Sequence, residues 1–484
     1  MPSHTGRAVL RQTVSRSVRR TVWAVVVGFG TSCLAVLPAA AQWSPGQESP
    51  ESVLRALGGV QPESGLDSEV PLLPLPVVDM RHETALDEER VARGLVAHYA
   101  AVLPVAADPW NHGAWLPVAK SRARWSLRVA SPGALSLSLA FTEFELPEGS
   151  ELRILSSAGE TLAGPFTAAD NETHRQLWTP PLTVDELRLS LEIPMQSLDA
   201  LVLKLSRVHH GYAGFGQSSL EKAGPCHRDL ICTEREEWQS LGRAVGLISV
   251  EGVRYCTGFL INNTARDRRP YFVTARHCGV HAQNAASVVV MWEHAASECA
   301  TETEVPQVYR SFQTGAYLRA SHRAADLTLL ELDDAPNMEQ GVYFLGWDRS
   351  FDDPRRGFTI HHPNTDRRRV AVTTSPIRTT RHLGHDDVAR GDHLRVAAWD
   401  LGTTEGGSSG SPLINEDLRV VGALHGGHAS CGNRDADWFG RLSSAWDDGN
   451  TPVRRFRDWL DPESTGAVVL DGLAVPGPVS GVEP

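Results

Sequence analysis

Short segments in which apolar and polar residues alternate recur along this chain, and they constrain its fold more than any other feature. Successive side chains of a β-strand point to opposite faces, so alternation is typical of half-buried antiparallel strands. Pro and Gly turns separate the segments of the first half, which predicts a β-sandwich over about residues 121–208. The alternating segments there are 125–129, 135–139, 151–155, 186–191 and 201–205.

The second half continues this pattern from residue 243 onward. Repeated short strands with turns predict a pair of barrels or a sandwich. Near the C-terminus, Thr451 and Pro452 begin a helical pattern, because Thr suits the N-cap and Pro the first helical position. We therefore expect an all-β chain with a short C-terminal helix. The candidate strands are 244–250, 256–261, 271–274, 287–291, 327–332, 358–361, 370–374, 394–398 and 419–424.

The N-terminus predicts export. An Arg-rich start precedes an apolar run over 22–37, and small residues follow at 39–41, which indicates a signal peptide (1–41) cleaved after Ala41. The apolar run is short and interrupted by Gly28, Gly30, Thr31 and Ser32, so a membrane anchor is the weaker alternative.

The distribution of cysteines marks a domain boundary. Of the seven, Cys33 leaves with the signal peptide, and the remaining six all follow residue 225. An even set in an exported chain predicts three disulfides. A second module cross-linked by disulfides is thus expected to follow a first module without cysteines.

The first module, 42–222, is interpreted as a propeptide. It comprises a Pro-rich linker at 71–76, a short helix over 88–101, the sandwich, and a Gly/Ser-rich hinge at 209–222. A carbohydrate- or cell-surface-binding module is the alternative. The second module spans 223–472, and a Pro/Gly tail follows at 473–484.

The net charge of the chain restricts the kinds of molecule that it is expected to bind. The net charge is −12, and no basic stripe occurs beyond the extreme N-terminus, so nucleic-acid binding is not expected. Outside the N-terminal run no stretch is apolar enough to span a membrane. We expect a secreted, extracellular monomer.

The loop from Glu405 to Pro412 has the composition of a nucleophile loop. Ser409 lies in its centre, and a serine needs a neighbouring base and an oxyanion site to act as a nucleophile. Glycines allow backbone N–H groups to converge there. On its own such a Gly/Ser segment ending in Pro is more often a plain turn.

Two further residues fit that chemistry. His277 follows a predicted strand and precedes Cys278, and Asp326 opens the apolar strand 327–332. An Asp at such an edge is suited to orient an imidazole. When each residue is considered alone, the alternative for His277 is a surface histidine, and the alternative for Asp326 is a turn residue.

In the order His277, Asp326, Ser409, the chain from about residue 223 resembles the trypsin/chymotrypsin-like serine proteases, above all the bacterial lysyl endopeptidases. The sandwich half resembles, more loosely, the propeptides of secreted bacterial proteases. The motifs that carry the resemblance are CTG (256–258), INNT (261–264), TARHC (274–278), DLTLLEL (326–332), GWDR (346–349), IHHPN (360–364), GSSGSP (407–412), LHGG (424–427) and WLDP (459–462).

The resemblance implies a chymotrypsin-like double β-barrel with the triad in the cleft between the barrels. Ser409 would attack the scissile carbonyl, His277 would transfer the proton, and Asp326 would orient His277. The N–H groups of Gly407 and Ser409 would form the oxyanion hole.

The resemblance also implies contacts for substrate and a disulfide pattern. Residues 424–426, with His425 and Gly426, would offer main-chain bonds to an extended substrate. Composition leaves the cysteine pairing open. The pairs implied by the family are Cys226–Cys431, Cys232–Cys299 and Cys256–Cys278.

Specificity is expected to depend on Asp437. The trypsin-type Asp before the nucleophile is replaced by Thr403 and Thr404, whereas lysyl endopeptidases use an Asp that matches Asp437. A buried carboxylate selects a cationic side chain. Asp435 is the competing candidate.

One family feature is different here. Lysyl endopeptidases pair the His at the position of His425 with a Trp, but no Trp occurs from Thr379 to His393, and Arg381 and His382 occupy that region. The alternatives to specificity for Lys are specificity for Arg, for both Lys and Arg, or for Glu through the loop histidines.

The lysines are Lys120, Lys204 and Lys222, so the second module contains none after Lys222. We hypothesise self-cleavage after Lys222, because a Lys-specific protease without lysines resists its own activity. An Arg-rich codon bias is the alternative, and it does not explain the position of Lys222.

Histidines at 361, 362, 382, 385 and 393 raise the possibility of a metal, but their spacing matches no compact zinc motif. They are interpreted as loop residues, and neither metal nor cofactor is expected. The expected partners are peptide or protein substrates and the chain's own propeptide. A catalytically inactive binding protein is the non-enzyme alternative, although no triad member is missing.

Overall fold

The computed structural model describes residues 49–52, 70–93, 95–119, 121–213, 224–296, 298–299, 309, 311–336 and 341–477. The predicted signal peptide with Ala41, the bond after Lys222, and the end of the C-terminal tail lie outside these residues.

Two sheets, antiparallel except for β1, form a sandwich in the first half. Leu127, Leu139, Phe141 and Leu189, all fully or nearly fully buried, belong to the one core shared by both sheets. One sheet has the order β1-β4-β9-β6-β7 with β3 beside β4, and the other has the order β2-β10-β5-β8. The strands are β1 (Leu72–Leu73), β2 (Ala100–Ala107), β3 (Ala114–Ala119), β4 (Arg122–Ala130), β5 (Ser136–Glu145), β6 (Glu151–Leu155), β7 (Thr161–Phe166), β8 (Leu177–Trp178), β9 (Glu186–Pro194) and β10 (Val202–Gly211).

Every alternating segment of the first half is a strand, but the β structure exceeds the predicted limits of 121–208. The Pro-rich segment 71–76 is not only a linker, because its β1 pairs in parallel with β4. β10 continues to Gly211, three residues into the predicted hinge.

The helix predicted over 88–101 is wrong in its position. Helix α1 covers Met80–Ala92, and Asp79 caps it by accepting from the N–H groups of Arg81 and His82. Residues 100–107 instead form β2, which pairs with β10 and buries Leu103. At Ala100 and Ala101, where the predicted helix overlaps β2, pairing with a distant strand outweighs the local helical pattern.

Two barrel-like sheets form the second half and confirm the predicted all-β, chymotrypsin-like architecture. The first has the order β16-β15-β12-β13-β14-β18-β17. Its strands are β12 (Val245–Val250), β13 (Arg254–Leu260), β14 (Tyr271–Ala275), β15 (Val289–Met291), β16 (Phe312–Thr314), β17 (Ala316–His322) and β18 (Leu327–Leu332).

The second sheet has the order β11-β22-β21-β25-β26-β27-β24-β23, with β20 beside β26 and β28. The nine candidate strands of the second half all occur in these two sheets, with ends shifted by a few residues. The strands are β11 (Arg228–Asp229), β20 (Trp347–Asp348), β21 (Gly357–His361), β22 (Arg369–Thr373), β23 (Arg378–Thr380), β24 (His393–Val396), β25 (Pro412–Asn415), β26 (Val420–Gly427), β27 (Asp437–Arg441) and β28 (Val469–Leu470).

Helices are short in this half. They are α2 (Glu236–Gly242), α3 (Leu442–Asp447) and α4 (Arg457–Leu460). The predicted C-terminal helix is therefore a single turn, and Thr451 makes no side-chain cap. Part of the predicted tail is ordered, because β29 (Leu473–Val475) pairs with β19 (Val342–Phe344). None of the helices among the described residues is long and apolar enough to cross a membrane.

The sandwich packs against the first barrel-like sheet. Trp178 of β8 contacts Val289 of β15 in one small cluster, and Tyr99 packs with Leu247 and Met291 in another. The Tyr99 hydroxyl lies 2.8 Å from Ser249 Oγ in the interior. The two halves therefore share a packed interface on the face of the barrel that carries β12 and β15.

Candidate active site

The three triad candidates lie at the ends of strands from both barrel-like sheets. His277 lies in the turn after β14, Asp326 directly precedes β18, and Ser409 precedes β25. β14 and β18 are paired neighbours, and Ala275 is opposite Leu327, so the ladder brings the first two residues together. The third comes from the other sheet, which explains why the site lies where the sheets meet.

The side chains of these residues form one continuous hydrogen-bonded row. His277 Nε2 lies 2.9 Å from Ser409 Oγ, and His277 Nδ1 lies 2.6 Å from Asp326 Oδ2. The backbone N–H of His277 also donates to Asp326 Oδ1 at 2.9 Å. Both carboxylate oxygens therefore hold the same histidine, which fixes its ring orientation.

Asp326 adopts an unusual backbone conformation. Its φ of 52° lies in the left-handed region, which costs a non-glycine residue free energy. Its carbonyl accepts from the N–H of Arg276 at 2.8 Å, and its side chain is nearly buried. The surrounding contacts thus hold the carboxylate beside His277 in a conformation that the chain alone disfavours.

The nucleophile loop leaves two N–H groups free. The N–H groups of Gly407 and Ser409 donate to no acceptor within the described part of the chain. Gly407 has a φ of 85°, and a Cβ on it would lie 2.7 Å from the Tyr255 ring. Glycine is therefore required there both by conformation and by space.

A buried histidine contacts the nucleophile loop. His361 is fully buried at the end of β21, and its Nδ1 lies 2.7 Å from Ser408 Oγ. Burial lowers the pKa of His361 well below its ordinary range, so the ring is neutral. The interpretation of His361 as a loop residue was wrong, because it is the last residue of β21. His362 does lie in the connection after β21, although it is fully buried.

Asp437 lies in the interior at the start of β27. Its Oδ2 accepts from Trp399 Nε1 at 2.7 Å and from Thr404 Oγ1 at 2.6 Å. Burial raises the pKa of the carboxyl, while these two donors oppose the shift. Asp435, the competing candidate, is exposed. Trp399 was missed in the sequence because its ring reaches a residue 38 positions away.

His425 lies beside the triad and contacts three other histidines. His382 stacks on it with ring centroids 3.6 Å apart, in the region where the resemblance leads one to expect a Trp. Its ring is 5.4 Å from that of His277, and its Nδ1 lies 2.9 Å from His393 Nε2. His393, predicted as a loop residue, is buried at the start of β24.

Disulfide bonds connect the pairs Cys226–Cys431, Cys232–Cys299 and Cys256–Cys278, the pattern that the resemblance implies. The last joins β13 to the turn that carries His277. A bridge next to that turn restricts its movement.

His277, Asp326 and His425 bring atoms of the metal-ligand type within 4.8 Å of one another. Two of those atoms already form the His277–Asp326 hydrogen bond. We assign no metal to this group.

Comparison with known proteins covers both halves. Residues 220–440 match the family model of the lysyl endopeptidase C-terminal domain, and residues 98–212 match that of the lysyl endopeptidase N-terminal domain. The chain is 26% identical over 364 residues to a lysyl endopeptidase of Pseudomonas aeruginosa, which covers 69% of this chain and 75% of the relative.

Solved structures give more distant similarities. A protease from M. tuberculosis in its active form is 15% identical, with 46% of this chain and 87% of that chain covered and a TM-score of 0.28. A serine endoprotease from Yersinia pestis is also 15% identical, with 43% and 61% covered and a TM-score of 0.29.

Proposed function

Because this chain is a lysyl endopeptidase-like protein and a serine endopeptidase, we propose that it cleaves peptide bonds after lysine by a Ser409–His277–Asp326 triad. The observation that carries the proposal is the row of contacts at 2.9 Å and 2.6 Å that joins these side chains. A serine, a histidine and a buried carboxylate in this order are the arrangement of acyl-transfer enzymes.

The proposed reaction follows from the positions of the protons. His277 Nε2 takes the proton of Ser409 as Oγ attacks the scissile carbonyl, and it later donates that proton to the leaving amine. Asp326 accepts from Nδ1–H, so the lone pair of the neutral imidazole lies on the Nε2 side that faces Ser409. The N–H groups of Gly407 and Ser409 then stabilise the oxyanion.

Selection of lysine is assigned to Asp437. Two neutral donors occupy its Oδ2 and no cation pairs with it among the described residues, so the carboxyl group is buried without a cationic partner. A buried negative charge of this kind strongly favours a cationic ligand. A lysine ammonium that entered the site would supply the missing partner.

Export and self-processing complete the proposal. We propose a secreted preproenzyme that loses residues 1–41 and then cuts itself after Lys222, with its own propeptide as a partner. Lys204 lies within β10, which runs between β2 and β5, and it pairs with Glu143 of β5. A strand in the middle of a sheet is a poor protease substrate. Lys222 lies in the segment between β10 and Gly224, outside the described residues.

The test of specificity compares Lys, Arg and Glu ester substrates with wild type and with Asp437→Asn. We expect Lys turnover in the wild type and a large selective loss in Asp437→Asn, since Asn keeps an acceptor for Trp399 and Thr404 but has no charge. Unchanged Lys turnover in Asp437→Asn would overturn the pocket assignment. Equal wild-type turnover of Arg esters would indicate mixed specificity, and Glu preference would contradict the assignment.

The test of processing is N-terminal sequencing of secreted wild type and of Ser409→Ala. We expect the wild type to begin at Ala223 and the purified variant to retain 42–222. A pure Ser409→Ala protein that is still cut after Lys222 would exclude self-processing. Ester turnover that survives in Ser409→Ala would exclude the triad.

A further inference from the structure

Thr257 of β13 lies where the nucleophile loop meets the first barrel-like sheet. Its hydroxyl donates to the carbonyl oxygen of Gly407 at 2.9 Å, and its backbone N–H donates to the carbonyl oxygen of Ser409 at 2.9 Å. The same hydroxyl oxygen accepts from the backbone N–H of His362 at 3.1 Å. Thr257 is fully buried. A residue of the first sheet thus holds two residues of the loop that carries the nucleophile.

The direction of each bond at Thr257 is fixed by the chemistry of its partner. A carbonyl oxygen only accepts and a backbone N–H only donates, so the hydroxyl proton of Thr257 is directed at Gly407. The carbonyl oxygen of Thr257 accepts from Thr274 Oγ1 of β14 at 2.8 Å. The N–H, the carbonyl and the hydroxyl of Thr257 therefore all have partners, and these contacts hold the hydroxyl in one orientation.

The loop reaches Thr257 at the point where β14 leaves the sheet. Gly258 of β13 is paired with Thr274 of β14, and β14 ends at Ala275. The chain then turns and places His277 in the site. Beyond Gly258, the nucleophile loop takes the place beside β13 that β14 has left. Thr257 therefore lies between the strand that leads to His277 and the loop that carries the serine.

Gly407 has little in its own sequence to fix its backbone. Gly406 precedes it, and a glycine has no Cβ that limits backbone rotation. The N–H of Gly407 and that of Ser409 are the two donors proposed for the oxyanion. Thr257 binds the carbonyl groups of these same two residues. Its contacts limit the rotation of this backbone segment and hence the direction of both N–H groups.

We propose that Thr257 is a positioning residue for the oxyanion: its hydroxyl holds the Gly407 carbonyl and thereby keeps the Gly407 N–H directed at the place where negative charge develops. Donors that are already oriented stabilise a developing charge without reorganisation during the reaction. The inference rests on the proposed function and deepens it, because it names the side chain that orients a donor of the proposed mechanism. Thr257 acts through Gly407 and not through the triad side chains.

The first test is Thr257→Val, which removes the hydroxyl and nearly preserves the shape of the side chain. The backbone bond to Ser409 and the contact of the carbonyl with Thr274 remain. We expect kcat for a Lys ester to fall roughly tenfold, less than the ~10²–10³-fold loss that follows removal of an oxyanion donor itself. KM and the pH profile should be nearly unchanged, because neither Asp437 nor His277 is altered.

Two comparisons separate positioning from a loss of stability. Thr257→Ser keeps a hydroxyl and should recover most of kcat. Ser287→Ala is the matched control: Ser287 is 1% exposed, and its Oγ accepts from the Glu251 N–H at 3.0 Å and donates to the Asn284 carbonyl at 2.6 Å. This control removes a buried hydroxyl with the same two roles in the turn before β15. Its free energy of unfolding should decrease about as much as that of Thr257→Val, but its kcat should equal that of the wild type.

A peptide aldehyde ending in lysinal tests the oxyanion directly. Ser409 Oγ adds to the aldehyde carbon, its proton passes to His277, and the former carbonyl oxygen takes up the negative charge. In Thr257→Val, the inhibition constant of the aldehyde should rise by about the same factor as kcat falls. The inhibition constant of an alkylamine, which has a cation but no carbonyl, should be unchanged. An equal rise for both inhibitors would overturn the proposal, because it would place the disturbance in the pocket.

A measurement that requires no turnover keeps this inference separate from the proposed function. In the Ser409→Ala protein, Thr257→Val should accelerate amide hydrogen exchange over residues 405–412, whereas Ser287→Ala should not. Unchanged exchange in this loop, or a kcat of Thr257→Val equal to that of Ser287→Ala, would overturn the role of Thr257. Failure of the proposed function would instead appear as an absence of Ser409-dependent Lys turnover in the wild type.

Discussion

Replacement of Thr404 by Val tests how the protein keeps a carboxylate charged in its interior. Asp437 is 1% exposed, and its burial raises the pKa of the carboxyl. The Thr404 hydroxyl donates to Oδ2 at 2.6 Å, a short, charge-assisted contact. Val has nearly the same shape as Thr but no donor, so Thr404→Val removes this stabilisation and leaves the bond from Trp399 in place.

The magnitude follows from that one bond. A hydrogen bond to a charged group contributes about 1.5–3 kcal/mol, and about 1.4 kcal/mol corresponds to a factor of ten. The variant therefore shifts Asp437 further towards its neutral form. At the acid side of the profile, kcat/KM for a Lys ester should fall by about tenfold or more, whereas the loss should be small on the alkaline plateau, where the carboxyl is ionised in both proteins.

The assay is the pH profile of kcat/KM, which reports the ionisation of the free enzyme. Thr403→Val is the matched control, because Thr403 is also buried but its hydroxyl faces the Thr404 carbonyl and not Asp437. Equal profiles for Thr404→Val and wild type would refute the reasoning, and so would an equal loss in Thr403→Val.

Three further predictions concern stability, measured by denaturant unfolding in a catalytically silent background. The Cys256–Cys278 bridge closes a loop with a sequence separation of 22, and its removal should lower the free energy of unfolding by about 3 kcal/mol. An unchanged free energy of unfolding would mean that the bridge does not restrict the unfolded chain. Burial lowers the pKa of His362 well below its ordinary range, so only the unfolded chain takes up its proton as the pH falls. Stability is then lost on acidification. In His362→Phe, the decrease in the free energy of unfolding from pH 7 to pH 5 should be smaller by about 2 kcal/mol. An unchanged pH dependence would contradict this. Tyr99→Phe removes the buried contact at 2.8 Å to Ser249 and should cost about 1 kcal/mol, whereas an unchanged stability would show that water replaces the bond.

Much of the fold was predictable from local patterns. The strands at 151–155 and 327–332 occur with the predicted ends, since alternation or a continuous apolar run is a property of the segment itself. The segment 100–107 was not predictable in this way, because its Ala-rich sequence has no clear alternation and becomes a strand only by pairing with β10.

The sequence alone provided the candidates His277, Asp326 and Ser409 and their order, because each lies in a short motif whose residue types suit the chemistry, and the family resemblance favoured Asp437 with Asp435 as its competitor. Only the tertiary structure decided what surrounds them. The contacts of Trp399 with Asp437 and of His393 with His425 join residues 38 and 32 positions apart. No periodicity or motif spacing records such pairs, since they arise when β24, β26 and β27 align in one sheet and bury these side chains together.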